Sequence, residues 1–161
     1  MTESELRLAL ARPGDAAVIA DLSRRFIENG LRWSWTPNRV MKSIRAANVN
    51  VLMARIGGQA AGFAIMRYGD ESAHLDLLAV APPFRRTGVG RRLVEWLEKC
   101  AVTAGIFRVS LEVRAGNRDA QRFYERMGYR AEARLAGYYQ GVEDALRMNR
   151  DLTRRPSRRS P

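Results

Sequence analysis

The sequence has one cysteine, Cys100, and one histidine, His74, among its 161 residues. A single cysteine cannot form a disulfide within the chain, and one cysteine with one histidine is a poor ligand set for a metal ion. We therefore expect neither an internal disulfide nor a metal site. No apolar run approaches the roughly 18 residues that a membrane span requires, and the acidic residues 1–6 contain no apolar signal segment. These absences predict a cytoplasmic protein that binds no metal and makes no contact with a membrane.

Acidic residues are also scarce, because 17 aspartates and glutamates face 28 lysines and arginines and the formal net charge is +11. Removing the four arginines of residues 154–159 lowers this charge only to +7. The positive electrostatic potential of such a protein attracts phosphates, acidic proteins or RNA. The sequence contains no nucleic-acid-binding motif, however. The charge therefore allows a ribosome or another acidic partner without identifying either.

The length and the hydrophobic share of 46% suit a single folded domain. We expect this domain to span residues 1–152. Residues 153–161 contain only threonine, arginine, proline and serine, which predicts a basic, unstructured tail. The protein is expected to act as a monomer or a homodimer.

A glycine loop joins a predicted strand to a predicted helix in the middle of the chain. The mostly apolar residues 75–80 indicate a strand that Pro82 and Pro83 end. Gly88 and Gly90 follow, and apolar side chains then recur every three or four residues, as in a helix: Leu93, Val94, Trp96, Leu97 and Cys100. Because the first N–H groups of a helix lack partners, this arrangement predicts an anion site, with a tight basic turn as the alternative.

A second strand and helix follow this loop. Residues 107–114 alternate between apolar and polar side chains, which indicates a strand with one buried face. Asn117 is a good helix cap and Gly128 a good helix end. A strand, a helix and another strand in succession predict a right-handed crossover between parallel strands.

Two motifs on these elements resemble one enzyme family. Arg85-Arg86-Thr87-Gly88-Val89-Gly90 matches Arg/Gln-x-x-Gly-x-Gly/Ala, the pyrophosphate loop of the Gcn5-related N-acetyltransferases (GNAT), which bind acetyl-coenzyme A (acetyl-CoA). Leu111-Glu-Val-Arg-Ala-Gly-Asn117, followed by Phe123-Tyr124-x-x-x-Gly128, is similar to the branch that acetylates ribosomal-protein alanines. The resemblance covers residues 75–148 well and residues 1–68 weakly.

The resemblance implies an α/β protein with the GNAT fold. This fold has a central mixed, mostly antiparallel sheet of six to seven strands, flanked by about four helices and splayed at strands 4 and 5. The resemblance also implies which residues hold acetyl-CoA as a cosubstrate: Leu78, Ala79 and Val80 at the acetyl group and pantetheine arm, Arg85, Arg86, Thr87, Gly88, Val89, Gly90 and Arg91 at the pyrophosphate, and Asn117, Ala120 and Tyr124 beside the coenzyme.

The same resemblance implies two catalytic residues, Tyr124 as the general acid and Glu112 as the general base. A phenol with a pKa of about 10 can protonate a leaving thiolate. Each residue has a structural alternative, since Glu112 could pair with Arg108, Arg114 or a neighbouring strand, and Tyr124 could be a core residue with its hydroxyl at the rim. His74 has no partner visible in the sequence, so a structural role is expected for it.

The predicted function is transfer of an acetyl group from acetyl-CoA to a protein or peptide N-terminal α-amine. A small amine, such as an amino acid, antibiotic or polyamine, is the alternative acceptor, and a non-catalytic acyl-CoA sensor is the alternative from another class. Trp33, Trp35 and Tyr138 are the candidate acceptor-binding residues. The two tryptophans could equally anchor a surface loop to the core.

Overall fold

A computed structural model describes residues 5–154. Of the predicted tail 153–161, residues 155–161 lie outside the described residues. The strands are β1 (Leu6–Leu10), β2 (Val49–Ile56), β3 (Gln59–Tyr68), β4 (Ala73–Val80), β5 (Arg108–Arg114), β6 (Arg130–Tyr139) and β7 (Glu143–Asp151). The α-helices are α1 (Ala16–Phe26), α2 (Pro37–Arg45), α3 (Val89–Thr103) and α4 (Arg118–Arg126). Within residues 5–154, no helix is long and apolar enough to cross a membrane.

The seven described strands form one sheet in the order β1-β2-β3-β4-β5-β7-β6. All neighbours run antiparallel except β4 and β5, which are parallel, as the strand–helix–strand pattern predicts. The β4–β5 pairing is limited to Ala73 with Val109 and His74 with Ser110. The strands part beyond these pairs, which confirms the predicted mixed sheet with its splay at strands 4 and 5.

Local signals fix where the helices begin. The Asn117 side chain accepts a hydrogen bond from the Ala120 N–H at 3.1 Å, as expected of a helix cap. Thr36 and Pro37 open α2 in the same manner, with a threonine cap and proline at the first helical position. Gly88 has a φ of 87° immediately before α3, a left-handed conformation that favours glycine.

The β6–β7 hairpin is longer than the sequence indicates. Gly137 suggests that β6 ends at Ala136, but the strand continues to Tyr139. The Gly137 backbone has a φ of 61°, and its N–H donates to the Asp144 carboxylate at 2.9 Å. This irregularity lets the strand resume pairing, so that the loop contains only residues 140–142.

Two hydrophobic clusters cover opposite faces of the sheet. One contains the inner sides of α3 and α4, including Leu93, Leu97 and Tyr124, and the other contains α1 and α2. In β4 the register against β3 shifts between Leu75 and Leu77, so that Asp76 is the extra residue of a β-bulge. Leu75 accordingly joins the α3–α4 cluster and Leu77 the α1–α2 cluster. The bulge thus exchanges the two faces of β4 just beyond its last pair with β5.

Candidate active site

The glycine loop presents unpaired backbone N–H groups at the start of α3. In the described structure, the N–H groups of residues 86–91 have no hydrogen-bond acceptor. Arg86 has a φ of 62° and Gly88 one of 87°, and successive turns of this kind aim neighbouring N–H groups at one point. Together with the dipole of α3, this row can bind a diphosphate.

Arg85 connects this loop to its surroundings. Its Nε donates to the Val80 carbonyl at 3.0 Å, and its guanidinium carbon lies 5.4 Å from the centre of the Phe26 ring. Arg85 therefore links α1 to the end of β4, beside the loop.

The backbone packs tightly around the end of β4. A Cβ placed on Gly62 of β3 would lie 2.5 Å from the Ala79 carbonyl oxygen, so only glycine fits there. A Cβ on Gly90 would lie 3.3 Å from the Phe123 ring, which brings α3 close to α4. Leu78, Ala79 and Val80 are thus held from the β3 side, and their other edge opens into the gap between β4 and β5.

A row of five charged side chains crosses the sheet where β4 and β5 part. His74 lies between two carboxylates: its Nδ1 is 2.6 Å from Asp76 Oδ1, and its Nε2 bonds to Glu112 Oε2. Arg147 donates to Glu112 Oε1 at 3.1 Å from the far side, and Arg67 donates to Asp76 at 3.1 Å. The row therefore links β3, β4, β5 and β7 through side chains.

The row shifts the pKa values of its members. Partial burial disfavours the His74 imidazolium, but hydrogen bonds and charges from Asp76 and Glu112 outweigh it and raise the pKa of His74 to about 9. Partial burial also disfavours the Glu112 carboxylate, but His74 and Arg147 outweigh it and hold the pKa of Glu112 below its usual value. At neutral pH the row thus contains two carboxylates and three cations.

Glu112 is therefore ion-paired, as its structural alternative anticipates, although with Arg147 of the neighbouring strand rather than with Arg108 or Arg114. Arg108 instead pairs with Glu132, and Arg114 with Glu143. Arg147 engages Oε1 and His74 engages Oε2, so both carboxylate oxygens of Glu112 have a partner while the group keeps its negative charge.

Tyr124 lies on the other face of the sheet. Its side chain is buried in the α3–α4 cluster, where its ring makes edge contacts with Phe123 at 5.1 Å and Tyr129 at 5.7 Å. Burial raises the pKa of the Tyr124 phenol, and the neighbouring Tyr139 phenol raises it further. Tyr124 is thus held neutral and protonated, which is the state that a proton donor needs.

Glu112 projects from the opposite face. Leu111 and Val113 of β5 belong to the α3–α4 cluster, so the alternate residues Ser110, Glu112 and Arg114 face the α1–α2 side. The candidate acid and the candidate base therefore flank the parted strands from opposite sides.

The α1–α2 loop contains two of the predicted acceptor residues. Trp33 is exposed beneath the Arg24 guanidinium, at 5.2 Å from the ring centre. Trp35 packs partly against the α1–α2 cluster, and the Arg39 guanidinium covers its ring at 3.8 Å. Trp35 thus has the anchoring contact that the alternative expects, whereas Trp33 remains available at the surface.

Sequence reasoning missed Glu28, which organises this loop. Its buried carboxylate accepts hydrogen bonds from the Ser34 N–H and hydroxyl, both at 2.7 Å, and from the Trp35 N–H at 3.2 Å. The Ser23 hydroxyl donates to it at 2.9 Å. A glutamate at the polar end of an apolar helix stripe gives no sequence signal for such a role.

Tyr138 lies on β6 across from this loop and is about half exposed. Burial raises the pKa of its phenol, and the nearby Glu112 carboxylate adds to the shift. Tyr138 is therefore within electrostatic range of the candidate base, on the face to which Glu112 projects.

The acetyltransferase (GNAT) family model matches residues 18–129. An uncharacterized N-acetyltransferase of Methanocaldococcus jannaschii is 34% identical over 110 residues, which are 68% of this chain and 69% of that protein. The ribosomal protein bS18-alanine N-acetyltransferase of Salmonella typhimurium is 41% identical over 91 residues, 55% of this chain and 62% of that protein. The crystal structure of the ribosomal-protein-S18-alanine N-acetyltransferase from Escherichia coli matches with a TM-score of 0.80 at 25% identity, covering 92% of this chain and 94% of that one.

These similarities define the class of the protein. The chain belongs to the GNAT family of acetyltransferases, as the glycine loop and the motif around Asn117 predict. The predicted N-acetyltransferase class is thereby confirmed.

Substitution of His74 tests whether the charged row makes stability depend on pH. Because the pKa of His74 is about 9 in the folded chain against 6.5 for an ordinary histidine, its stabilising contribution is complete below pH 6.5 and is lost as the pH rises through 9. We expect His74→Gln to lower the free energy of unfolding by roughly 2–3 kcal/mol at pH 6 and by less than about 1 kcal/mol at pH 10. Urea unfolding across this range measures the difference.

Arg45, exposed at the end of α2, provides the control. Arg45→Gln should change the free energy of unfolding by less than about 0.5 kcal/mol at every pH. A constant gap between wild type and His74→Gln from pH 6 to pH 10 would contradict the coupling.

Proposed function

We propose that the protein transfers an acetyl group from acetyl-CoA to the α-amine at the N-terminus of a protein or peptide. One observation supports this most directly: Glu112 and Tyr124 flank the parted β4 and β5 strands from opposite faces. The reaction needs a proton acceptor for the amine and a proton donor for the thiolate. With the two groups on opposite faces, the amine can approach from the Glu112 side while the thiolate leaves on the Tyr124 side.

The proposed coenzyme site follows the backbone of the loop and of β4. The unpaired N–H groups of residues 86–91, with Arg85 and Arg91 nearby, suit the two pyrophosphate phosphates. The free edge of Leu78, Ala79 and Val80 offers amide groups for the pantetheine arm and the thioester oxygen. Asn117 and Ala120, at the start of α4, complete the proposed coenzyme site.

The proposed reaction needs two proton movements. The amine nitrogen attacks the thioester carbonyl carbon, so that a C–N bond forms as the C–S bond breaks. Glu112 takes the proton that the amine loses, directly or through water, and Tyr124 gives its proton to the departing sulfur. The carbonyl oxygen accepts hydrogen bonds from the β4 backbone.

The charged row favours an α-amine over a lysine side chain. With three cations against two carboxylates, it gives little attraction to an ammonium ion. An α-amine, with a pKa of about 8, is neutral more often at physiological pH than a lysine amine, with a pKa of about 10.4. The relatives that act on ribosomal-protein alanine, by their names, support the same acceptor class.

A panel of acceptors tests the proposal. We expect release of free coenzyme A with peptides that have free N-termini, and at least about tenfold less with the same peptides N-terminally blocked and containing lysine. Small amines form the third arm. Release with small amines alone would assign a small acceptor instead, and binding of acetyl-CoA without release in any arm would favour a sensor.

Tyr124→Phe tests the general acid. Because the leaving thiolate would lose its proton donor, turnover should fall by roughly 10²-fold or more while acetyl-CoA affinity stays within about threefold. Steady-state kinetics and direct binding of acetyl-CoA measure the two quantities.

Tyr129→Phe provides the matched control for this variant. It removes a neighbouring buried hydroxyl, one that donates to Glu98 at 2.8 Å, and should leave turnover within about threefold. Equal losses in the two variants would remove Tyr124 from the chemistry.

Glu112→Gln tests the general base through its pH dependence. In the wild type Glu112 can take the proton of a bound ammonium ion, whereas a glutamine cannot, so the variant reacts only with an amine that is already neutral in solution. The ratio of wild-type to variant kcat/KM should therefore grow by up to about tenfold for each pH unit below 8. The exposed Glu132, which contacts Arg108 and Asn149, supplies the control Glu132→Gln. A ratio that does not vary from pH 6 to pH 8 would leave Glu112 a structural residue.

A further inference from the structure

The outer surface of α1 and α2 has an excess of positive charge that the proposed reaction does not use. Residues 16–48 contain six cations and two carboxylates. Asp21 pairs with Arg25 at 3.3 Å, and the Glu28 carboxylate is buried in contacts with the α1–α2 loop. Four of the other cations are exposed on these helices and form no ion pair within residues 5–154: Arg24, Arg39, Lys42 and Arg45. We call these four side chains the basic helical face.

Three members of the basic helical face recur at every third residue of α2, namely Arg39, Lys42 and Arg45. This spacing places them on the side of the helix opposite Val40, which is buried in the α1–α2 cluster. They span about 9 Å along the helix axis. The dipole of α2 favours the two cations of the last turn but disfavours Arg39 in the first turn, so helix stability does not explain Arg39.

Two arginines of the basic helical face lie over tryptophan rings. The guanidinium carbon of Arg39 is 3.8 Å from the centre of the Trp35 ring, and that of Arg24 is 5.2 Å from the centre of the Trp33 ring. Trp35 in turn packs partly against the α1–α2 cluster. Because both arginines are exposed, their N–H groups and the faces turned away from the rings can meet a ligand. The tryptophans thus orient two flat cations at the surface.

The chemistry of this face suits single-stranded RNA better than other polyanions. Phosphates along a strand match cations spaced along a helix. Unstacked bases also lie flat on aromatic rings and on arginine guanidinium planes, a contact that polyglutamate or polyphosphate does not offer. A duplex keeps the faces of its bases inside the stack, so it offers mainly its phosphates. No linear motif reveals such a face, because its members come from two helices and the loop between them.

We propose that the basic helical face binds single-stranded RNA, with Arg24, Lys42 and Arg45 at the phosphates and a base stacked on Arg39. The proposal does not rest on acetyl transfer to N-termini, because the binding is measured without acetyl-CoA or an acceptor. RNA held on α2 would raise the local concentration of the enzyme around proteins that are bound to the same RNA.

Removal of charge from α2 tests the phosphate contacts. The variant Arg39→Gln/Lys42→Gln/Arg45→Gln lowers the net charge of +11 by three. Fluorescence anisotropy of the full chain with a labelled oligouridylate of about 12 nucleotides measures the affinity across salt concentrations. Each phosphate contact on a single strand contributes about 0.7 to the slope of log affinity against log salt, so we expect a slope shallower by about 2. Urea unfolding checks that the variant folds, and Lys42→Gln alone should reduce the slope by about 0.7.

The exposed side of α4 provides a control with the same change in charge. Arg118→Gln/Arg122→Gln/Arg126→Gln also removes three exposed arginines, from a helix surface that includes Asp119 and Glu125. The slope of this control should stay within about 0.5 of the wild-type value. Equal changes of slope in the two triple variants would show that net charge alone attracts the RNA, which would overturn the proposed surface.

Arg39→Lys tests the stacked base separately from the charge. Lysine keeps the positive charge but lacks the flat guanidinium plane over Trp35. We expect the affinity for the oligouridylate to fall by about fivefold or more while the salt slope stays within about 0.3 of the wild-type value. Arg45→Lys, at a position that lies over no aromatic ring among the described residues, should change the affinity by less than about twofold. Equal losses in the two lysine variants would contradict the stacking.

Competition with other polyanions tests which partner the face takes. Unlabelled polyuridylate should displace the labelled strand at least about tenfold better, per charge, than duplex RNA, polyphosphate or polyglutamate. Polyglutamate that competes as well as polyuridylate would assign the face to an acidic protein and overturn the proposal. Duplex RNA or polyphosphate that competes equally would leave only phosphate contacts and remove the role of the stacked base. A wild type that does not bind the oligouridylate would also overturn the proposal.

Discussion

The parting of β4 from β5 is the constraint on which the candidate site depends. Pairing between them stops after His74 and Ser110, so the edge of β4 that follows has a backbone partner on β3 alone. Backbone groups left unpaired in a protein interior are costly. A sheet can therefore open at its centre only where a ligand or water reaches the exposed edge. The same opening leaves backbone groups of β4 free to form hydrogen bonds with a bound molecule instead of with β5.

The protein offsets this opening with side chains. The charged row that centres on His74 crosses from β3 to β7 at the point where backbone hydrogen bonds between β4 and β5 end. Asp76 belongs to the row because the bulge in β4 makes it the extra residue. The bulge also exchanges the faces of β4, so that Leu75 packs on the α3–α4 side and Leu77 on the α1–α2 side. Asp76 therefore both forms the bulge and supplies one of the two carboxylates of the charged row.

Features contained in one short segment were predictable from the sequence. The glycine loop, the Asn117 cap and the position of Tyr124 in α4 each depend on residues within one turn or one helix. The pairing of His74 with Glu112 was not predictable, because Glu112 lies 38 positions away and only strand pairing brings the two together. The link between Gln140 and Arg32 spans 108 positions and depends on a hairpin that continues past Gly137. Gly137 predicts the end of β6, but in the structure its N–H donates to the Asp144 carboxylate and the strand continues to Tyr139.

The two sides of the site are stabilised by different interactions, and this difference has a consequence for function. The α3–α4 side, with Tyr124, is packed with apolar and aromatic groups, which permit little movement. The α1–α2 loop and the tip of the β6–β7 hairpin are instead held by a few polar contacts, from Glu28 to the backbone of residues 34 and 35 and from Gln140 to Arg32. Each such bond contributes only about 1 kcal/mol net, because water can replace it. These loop contacts can therefore be exchanged for others more easily than the apolar packing of the α3–α4 side can be rearranged.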